Sequence, residues 1–173
     1  ASFKVEGAKA ELWITNETLK TAEGEATVDL LQLDGGTLRS EPIHYAVPAN
    51  SSQPVWCGEV SEKPANQALH VRSANDAFAA NRFMLAPIKD LKLAHGAKPK
   101  VGITRVGPNE LEVQLSADAY LLFVGIEVPQ VGTRFSDNHF DMRAGEFRRI
   151  RVTNADHALV PEDLIITCWN SRA

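Results

Sequence analysis

Apolar and polar residues alternate along most of this chain, in short runs that Gly, Pro, Asn or Ser bring to an end. In "ELEVQLS" (110–116), Leu111, Val113 and Leu115 fall on one side and Glu112 and Gln114 on the other. A period of two with one apolar face predicts a half-buried antiparallel strand. The runs "AELWITNET" (10–18), "EATVDLLQL" (25–33), "PVWCGEV" (54–60) and "NRFMLAP" (81–87) are likewise short and bounded by Gly, Pro, Asn or Ser. Further on, "KVGITRVG" (100–107), "AYLLFVGIEV" (119–128) and "DLIITCWN" (163–170) repeat them. Leu33-Asp34-Gly35-Gly36-Thr37 reads as a hairpin turn in which glycine supplies a positive φ, and "TLRSEPIHYAVP" returns from it as a strand pair or one interrupted strand. Gly107-Pro108-Asn109 and Ala117-Asp118 read as the turns before and after 110–116. Only "SANDAFAANR" (73–82) leaves room for a short helical turn, and no long amphipathic helix fits.

Between the two groups of strands lies "APIKDLKLAHGAKPK" (86–100), with two prolines, a glycine and four lysines. A boundary near residues 87–97 leaves two parts, 1–90 and 91–173, each with some six or seven short strands. That is the size and strand count of an immunoglobulin-like sandwich. The expected fold is therefore all-β, as two tandem immunoglobulin-like antiparallel β-sandwiches.

Composition narrows the function classes. A net charge of −4 argues against a general nucleic-acid or anionic-membrane binder, because both surfaces would repel the chain. No apolar run approaches the roughly 20 residues a spanning helix needs, and no signal-peptide pattern opens the chain. The first residue is Ala1 rather than methionine, so a fragment or a processed chain is expected. Two cysteines, Cys57 and Cys168, are too few for a disulfide framework. Both stand in apolar, strand-like surroundings, and both are expected to be buried free thiols.

Little in the sequence points to catalysis. The five histidines make no metal spacing with one another or with the cysteines, and no glycine loop is built to cradle phosphate, so neither metal nor cofactor is called for. Asn16-Glu17-Thr18 and Asn50-Ser51-Ser52 fit the glycosylation pattern, which asparagine in a Ser/Thr-bearing chain often meets by chance. Asp137, Asp141 and Glu146, within "RFSDNHFDMRAGEFRRIRV" (134–152), offer paired carboxylates of the kind that cleave glycosides. A structural role outweighs that reading. Asp and Asn hold turns through their own backbone, Gly145 supplies another, and Ile150 and Val152 re-enter the core between solvent-facing Arg149 and Arg151. Of Trp13, Trp56 and Trp169, the last is the candidate substrate-binding residue, because it adjoins polar Asn170-Ser171 and could stack on a sugar ring.

"FSDNHFDMRAGE" (135–146) resembles the S-D-N-aromatic-F-D-L-x-P-G-E motif in the last β-sandwich of glycoside hydrolase family 2 β-mannosidases. "NRFMLAPIKDLKL" (81–93) is similar to that family's passage into the final domain, and "ELWITNETLKTAEGEATVDLLQLDGGTL" (11–38) to the sandwich before it. His139 stands where an aromatic is usual, and Arg143-Ala144 replaces a more apolar, proline-containing pair; a related exo-β-glucosaminidase or an endo-acting β-mannosidase is thus also compatible. The resemblance implies a five-domain parent whose two catalytic glutamates sit on a TIM barrel outside this chain, so no catalytic residue carries over. It also implies that the parent hydrolyses terminal β-D-mannosides by the retaining mechanism, and that the barrel is the intramolecular partner of these two domains. The alternatives are a free-standing carbohydrate-binding or adhesion module, which needs an exposed aromatic such as Trp169 or Trp56 against an oligosaccharide, and a fibronectin-like protein-interaction pair.

Overall fold

A computed structural model describes residues 1–171. The chain divides into two compact units, one made of Ala1–Leu33 and Thr37–Lys92 and the other running on from Leu93. Among the described residues each unit has seven strands, and there is no α-helix.

The first unit holds β1 (Ser2–Glu6), β2 (Lys9–Asn16), β3 (Ala22–Gln32), β4 (Thr37–Val47), β5 (Ser51–Glu59), β6 (Gln67–Ser73) and β7 (Asn81–Met84). They pair as two antiparallel sheets, β1-β2-β5 and β4-β3-β6-β7. Leu12 and Ile14 of β2 meet Val28, Val47, Leu69 and Val71 of the facing sheet in one apolar core. The end of β2 is fixed by buried Asn16. Its Nδ2 donates to the carbonyls of Lys20, Val47 and Pro48, and its Oδ1 accepts from the Thr18 backbone and hydroxyl.

The second unit holds β8 (Lys100–Gly107), β9 (Glu110–Ser116), β10 (Leu121–Glu127), β11 (Arg134–Phe135), β12 (Phe140–Met142), β13 (Phe147–Thr153) and β14 (Ile165–Thr167). Its sheets are β11-β13-β9-β8 and β12-β10-β14. Leu111, Val113 and Leu115 of β9 and Ile150 and Val152 of β13 face Val124 and Ile126 of β10 across the core. The alternation in 110–116 is thus realised as one buried face. Both units are antiparallel sandwiches of the immunoglobulin-like kind.

Several local expectations change. Residues 37–47 form one continuous strand. The turn before it spans Leu33 to Gly36, and neither Gly35 nor Gly36 has a positive φ. A loop of four residues, with the ladder shifted between Leu30 and Leu31, does not need the mirror-image turn of a two-residue hairpin. Ala117-Asp118 lies at a corner, where the chain leaves one sheet for the other. The stretch 73–82 contains no helical turn: the Ser73 hydroxyl closes it by donating to the Phe78 carbonyl and accepting from the Phe78 N–H.

Cys57 is exposed rather than buried, whereas Cys168 is buried. Trp56, the preceding residue of β5, points into the core. Successive strand residues point to opposite faces, which turns Cys57 outward.

Candidate functional site

The three carboxylates of the 134–152 stretch are engaged in shaping the fold. Asp141 accepts the Tyr120 hydroxyl at 2.7 Å through one oxygen and the Phe123 N–H at 2.9 Å through the other. The Arg148 guanidinium donates to Glu146 at 2.6 Å and to Asp137 at 2.8 Å, and lies 4.4 Å from the centre of the Phe140 ring. Glu146 also accepts the Arg143 N–H at 2.9 Å, closing the turn in which Gly145 takes a φ of 78°. Burial raises the Glu146 carboxyl, but the Arg143 N–H and the two neighbouring guanidiniums outweigh it, so it is held below the usual carboxylate range. A carboxylate held ionised in this way is poorly suited to act as a general acid. Among the described residues no group of three His, Cys, Asp or Glu side chains could hold a metal.

The tryptophans divide sharply. Trp56 is 8% exposed, packs edge-on to Phe3 and donates its indole N–H to Glu41 at 2.8 Å, which removes it as a sugar platform. Trp13 is part-buried and donates to Glu11 at 3.0 Å. Trp169 is 47% exposed.

Two buried neighbours hold Trp169 in that position. The Cys168 thiol donates to the Ala97 carbonyl at 3.3 Å. Asn170 donates to the carbonyls of Tyr120 and Ala94 and accepts the Leu122 N–H at 2.9 Å. With both flanking side chains drawn inward, the indole between them is left outside.

Trp169 borders a cleft of about 250 Å³ with Phe123, Gly125, Glu127, His139 and Thr167. Phe123, Gly125 and Glu127 are the outward residues of β10. A β-bulge shapes this strand: Leu121 pairs with Met142 and Val124 with Phe140, so Leu122 and Phe123 both oppose Asp141. Asn170 and Asp141 satisfy the two backbone N–H groups that the bulge frees. Phe123 takes a φ of 52°, unusual for a bulky residue, and stands 40% exposed. His139 is also left-handed, with a φ of 59°. Each such residue costs on the order of 1–3 kcal/mol and persists where its surroundings over-determine it.

His139 gains its place from Asn138. That side chain accepts the Ile126 and His139 N–H groups and donates to the Ile126 carbonyl, joining the loop to β10. The imidazole then covers Gly125, where an added Cβ would lie 3.2 Å from Nδ1. Asn138 and Asp141 thus build the cleft that Trp169 borders. The polar neighbours of Trp169 mark it as a candidate in the sequence, but the bulge that brings Phe123 and His139 to the same cleft depends on partners distant in the chain.

Comparison with known proteins finds a family match for each of the two units. Residues 8–90 match the mannosidase Ig/CBM-like domain, and residues 97–170 match the Ig-fold domain of the mannosidase type. No curated protein matches the chain in sequence. Among solved structures, a β-D-mannosidase from Dictyoglomus thermophilum superposes with a TM-score of 0.76 at 19% identity, over 98% of this chain and 21% of that one. An exo-chitosanase from Amycolatopsis orientalis superposes with a TM-score of 0.57 at 14% identity, over 94% of this chain and 24% of its own. At these identities the likeness is one of fold. The chain spans about a fifth to a quarter of the length of those structures.

Proposed function

From the premise that this chain belongs, over residues 8–90 and 97–170, to the Ig-like domain families of mannosidases, we propose that it is the non-catalytic accessory pair of a β-mannosidase-type glycoside hydrolase. The observation that carries this reading is the succession of two different family matches, in order, over nearly the whole chain. The structural roles of Asp137, Asp141 and Glu146 agree with it, since those carboxylates are occupied in holding loops. The parent would carry its two catalytic carboxylates on a barrel and cleave terminal β-D-mannosides with retention, one group acting as nucleophile and the other as acid/base. Residues 1–90 and 91–173 would be the two accessory domains, and the barrel their intramolecular partner.

The coding sequence upstream of Ala1 tests this directly. A barrel with two suitably placed glutamates is the expected finding; an initiator codon at Ala1 would overturn the reading. The isolated chain should not hydrolyse aryl β-mannosides. Turnover abolished by Asp137→Asn would place the chemistry here instead.

The exposure of Trp169 favours a second reading, a carbohydrate-binding module that acts on its own. It needs no barrel, so the upstream sequence separates the two.

A further inference from the structure

The geometry points to a binding site for one terminal hexopyranose ring in the second unit, in the cleft between Trp169 and Phe123. The choice of ligand rests on the glycosidase reading; the existence of a site rests on the cleft itself. Two half-exposed aromatic side chains border it. The β10–β14 ladder pairs Gly125 with Thr167 and Glu127 with Ile165, and Trp169 follows β14 at the start of a short 3-10 turn, so that it and Phe123 line the same cleft. The polar groups at the cleft are the His139 imidazole, the Glu127 carboxylate and the Thr167 hydroxyl. Among the described residues no hydrogen bond or ion pair engages the imidazole or the carboxylate, which leaves them open to a ligand.

The ligand class follows from this combination. A pyranose has an apolar C–H face for an aromatic ring and hydroxyls that both donate and accept around its edge. Glu127 disfavours an anion, and a wholly apolar ligand would leave the carboxylate and imidazole desolvated. At about 250 Å³ the cleft is smaller than the roughly 300–1,000 Å³ of drug-sized sites, so it suits one ring at a chain end rather than a bound polymer.

The frame is preorganised. Trp169 is held between buried Cys168 and Asn170. Phe123 is fixed at the bulge by Asp141, and His139 against Gly125 by Asn138. Phe123 is the one non-glycine residue inside a described strand with a positive φ, and its ring borders the cleft. Strain retained at a ligand-facing position, and supported by side chains from two other segments, is the pattern of a binding site. Asn138 and Asp141 are positioning residues of this site; Trp169, Phe123, His139 and Glu127 are its contacts.

The test is an amide and indole NMR titration of the 173-residue chain with β-1,4-mannobiose. Saturable shifts are expected at the Trp169 indole N–H and at the Gly125 and His139 amides, with the Trp13 and Trp56 indoles unmoved. Trp169→Ala and Phe123→Ala, each checked for a folded amide spectrum, should weaken binding by about tenfold or more. No saturable shift at these positions, or affinity unchanged in both variants, would overturn the site. The two readings fail separately: an upstream barrel without sugar shifts leaves the accessory reading standing, and sugar shifts without a barrel leave the site standing.

Discussion

The first unit hides a tryptophan that the second unit's counterpart displays. Trp56 and Trp169 both stand in short apolar strand-like stretches next to a cysteine, yet one is 8% exposed and the other 47%. Trp56 turns inward with its ring over Gly58, where an added Cβ would lie 2.3 Å from Cζ2, so the site exists only because that residue has no side chain. Trp169 has the opposite setting: Cys168 and Asn170 occupy the interior on either side and leave the indole outside. The comparison separates an aromatic residue that supplies core area from one that a core holds in place at the surface.

The sharpest break of that contrast is Trp56→Ala. Removing the largest side chain of the first core, together with its bond to Glu41, should cost about 3–5 kcal/mol. Denaturant unfolding measures it, and a loss under about 1 kcal/mol would mean that the ring contributes no core packing. Asn170→Ala comes next. It deprives the Leu122 N–H and the Tyr120 carbonyl of their partner, both buried, and should cost about 2–3 kcal/mol in the second unit. Because Asn170 also supports the bulge, the same variant should shift the Phe123 amide, which an isolated hydrogen-bond loss would leave alone.

How much of this was legible in the sequence follows from the range of the interactions. The inward set Leu111, Val113 and Leu115 was readable because strand alternation is local. So was the turn at Gly145. Cys57 was misread from its apolar surroundings, although adjacent Trp56 held the signal: both could not face the core. The outer cleft was not readable. Phe123 adopts a left-handed backbone because Asp141, 18 residues on, and Asn170, 48 residues beyond its neighbour Leu122, take the freed N–H groups. Likewise, the four-residue loop at Leu33–Gly36 depends on how β3 and β4 register along their length, which the two glycines alone do not reveal.

A smaller effect is expected on acidification. The Glu146 carboxyl is held below its unfolded value, so its contribution is present above the ordinary carboxylate value of about 4.3 and is lost as pH falls through the lowered one. The second unit should therefore weaken below about pH 4, and Glu146→Gln should remove part of that pH dependence while lowering stability at neutral pH. An unchanged acid profile in Glu146→Gln would show that the contacts of this carboxylate with the Arg143 N–H and the Arg148 and Arg143 guanidiniums contribute nothing to the pH dependence. Smaller again, and of opposite sign, is Phe123→Gly. Glycine adopts a φ of 52° without penalty, so relief of strain should outweigh the loss of a half-exposed ring and stabilise the unit by up to about 1 kcal/mol. A destabilised variant would mean that the ring packs productively and that no strain is held there.

The smallest effect carries the most meaning. Trp169→Ala should change stability by no more than about 0.5 kcal/mol, because its anchors, Cys168 and Asn170, remain and its ring contributes little to the core. A loss approaching that of Trp56→Ala would make Trp169 a packing residue and erase the difference between the units. If the cost is small, stability does not account for the exposed indole itself, although the hydrogen bonds of its neighbours stabilise the fold. A side chain that the fold does not need, fixed by neighbours that it does need, is best explained by what it presents to solvent. Thermal unfolding of the variant, set beside its sugar titration, reads both quantities on one protein: an unchanged midpoint with lost binding would assign Trp169 to recognition.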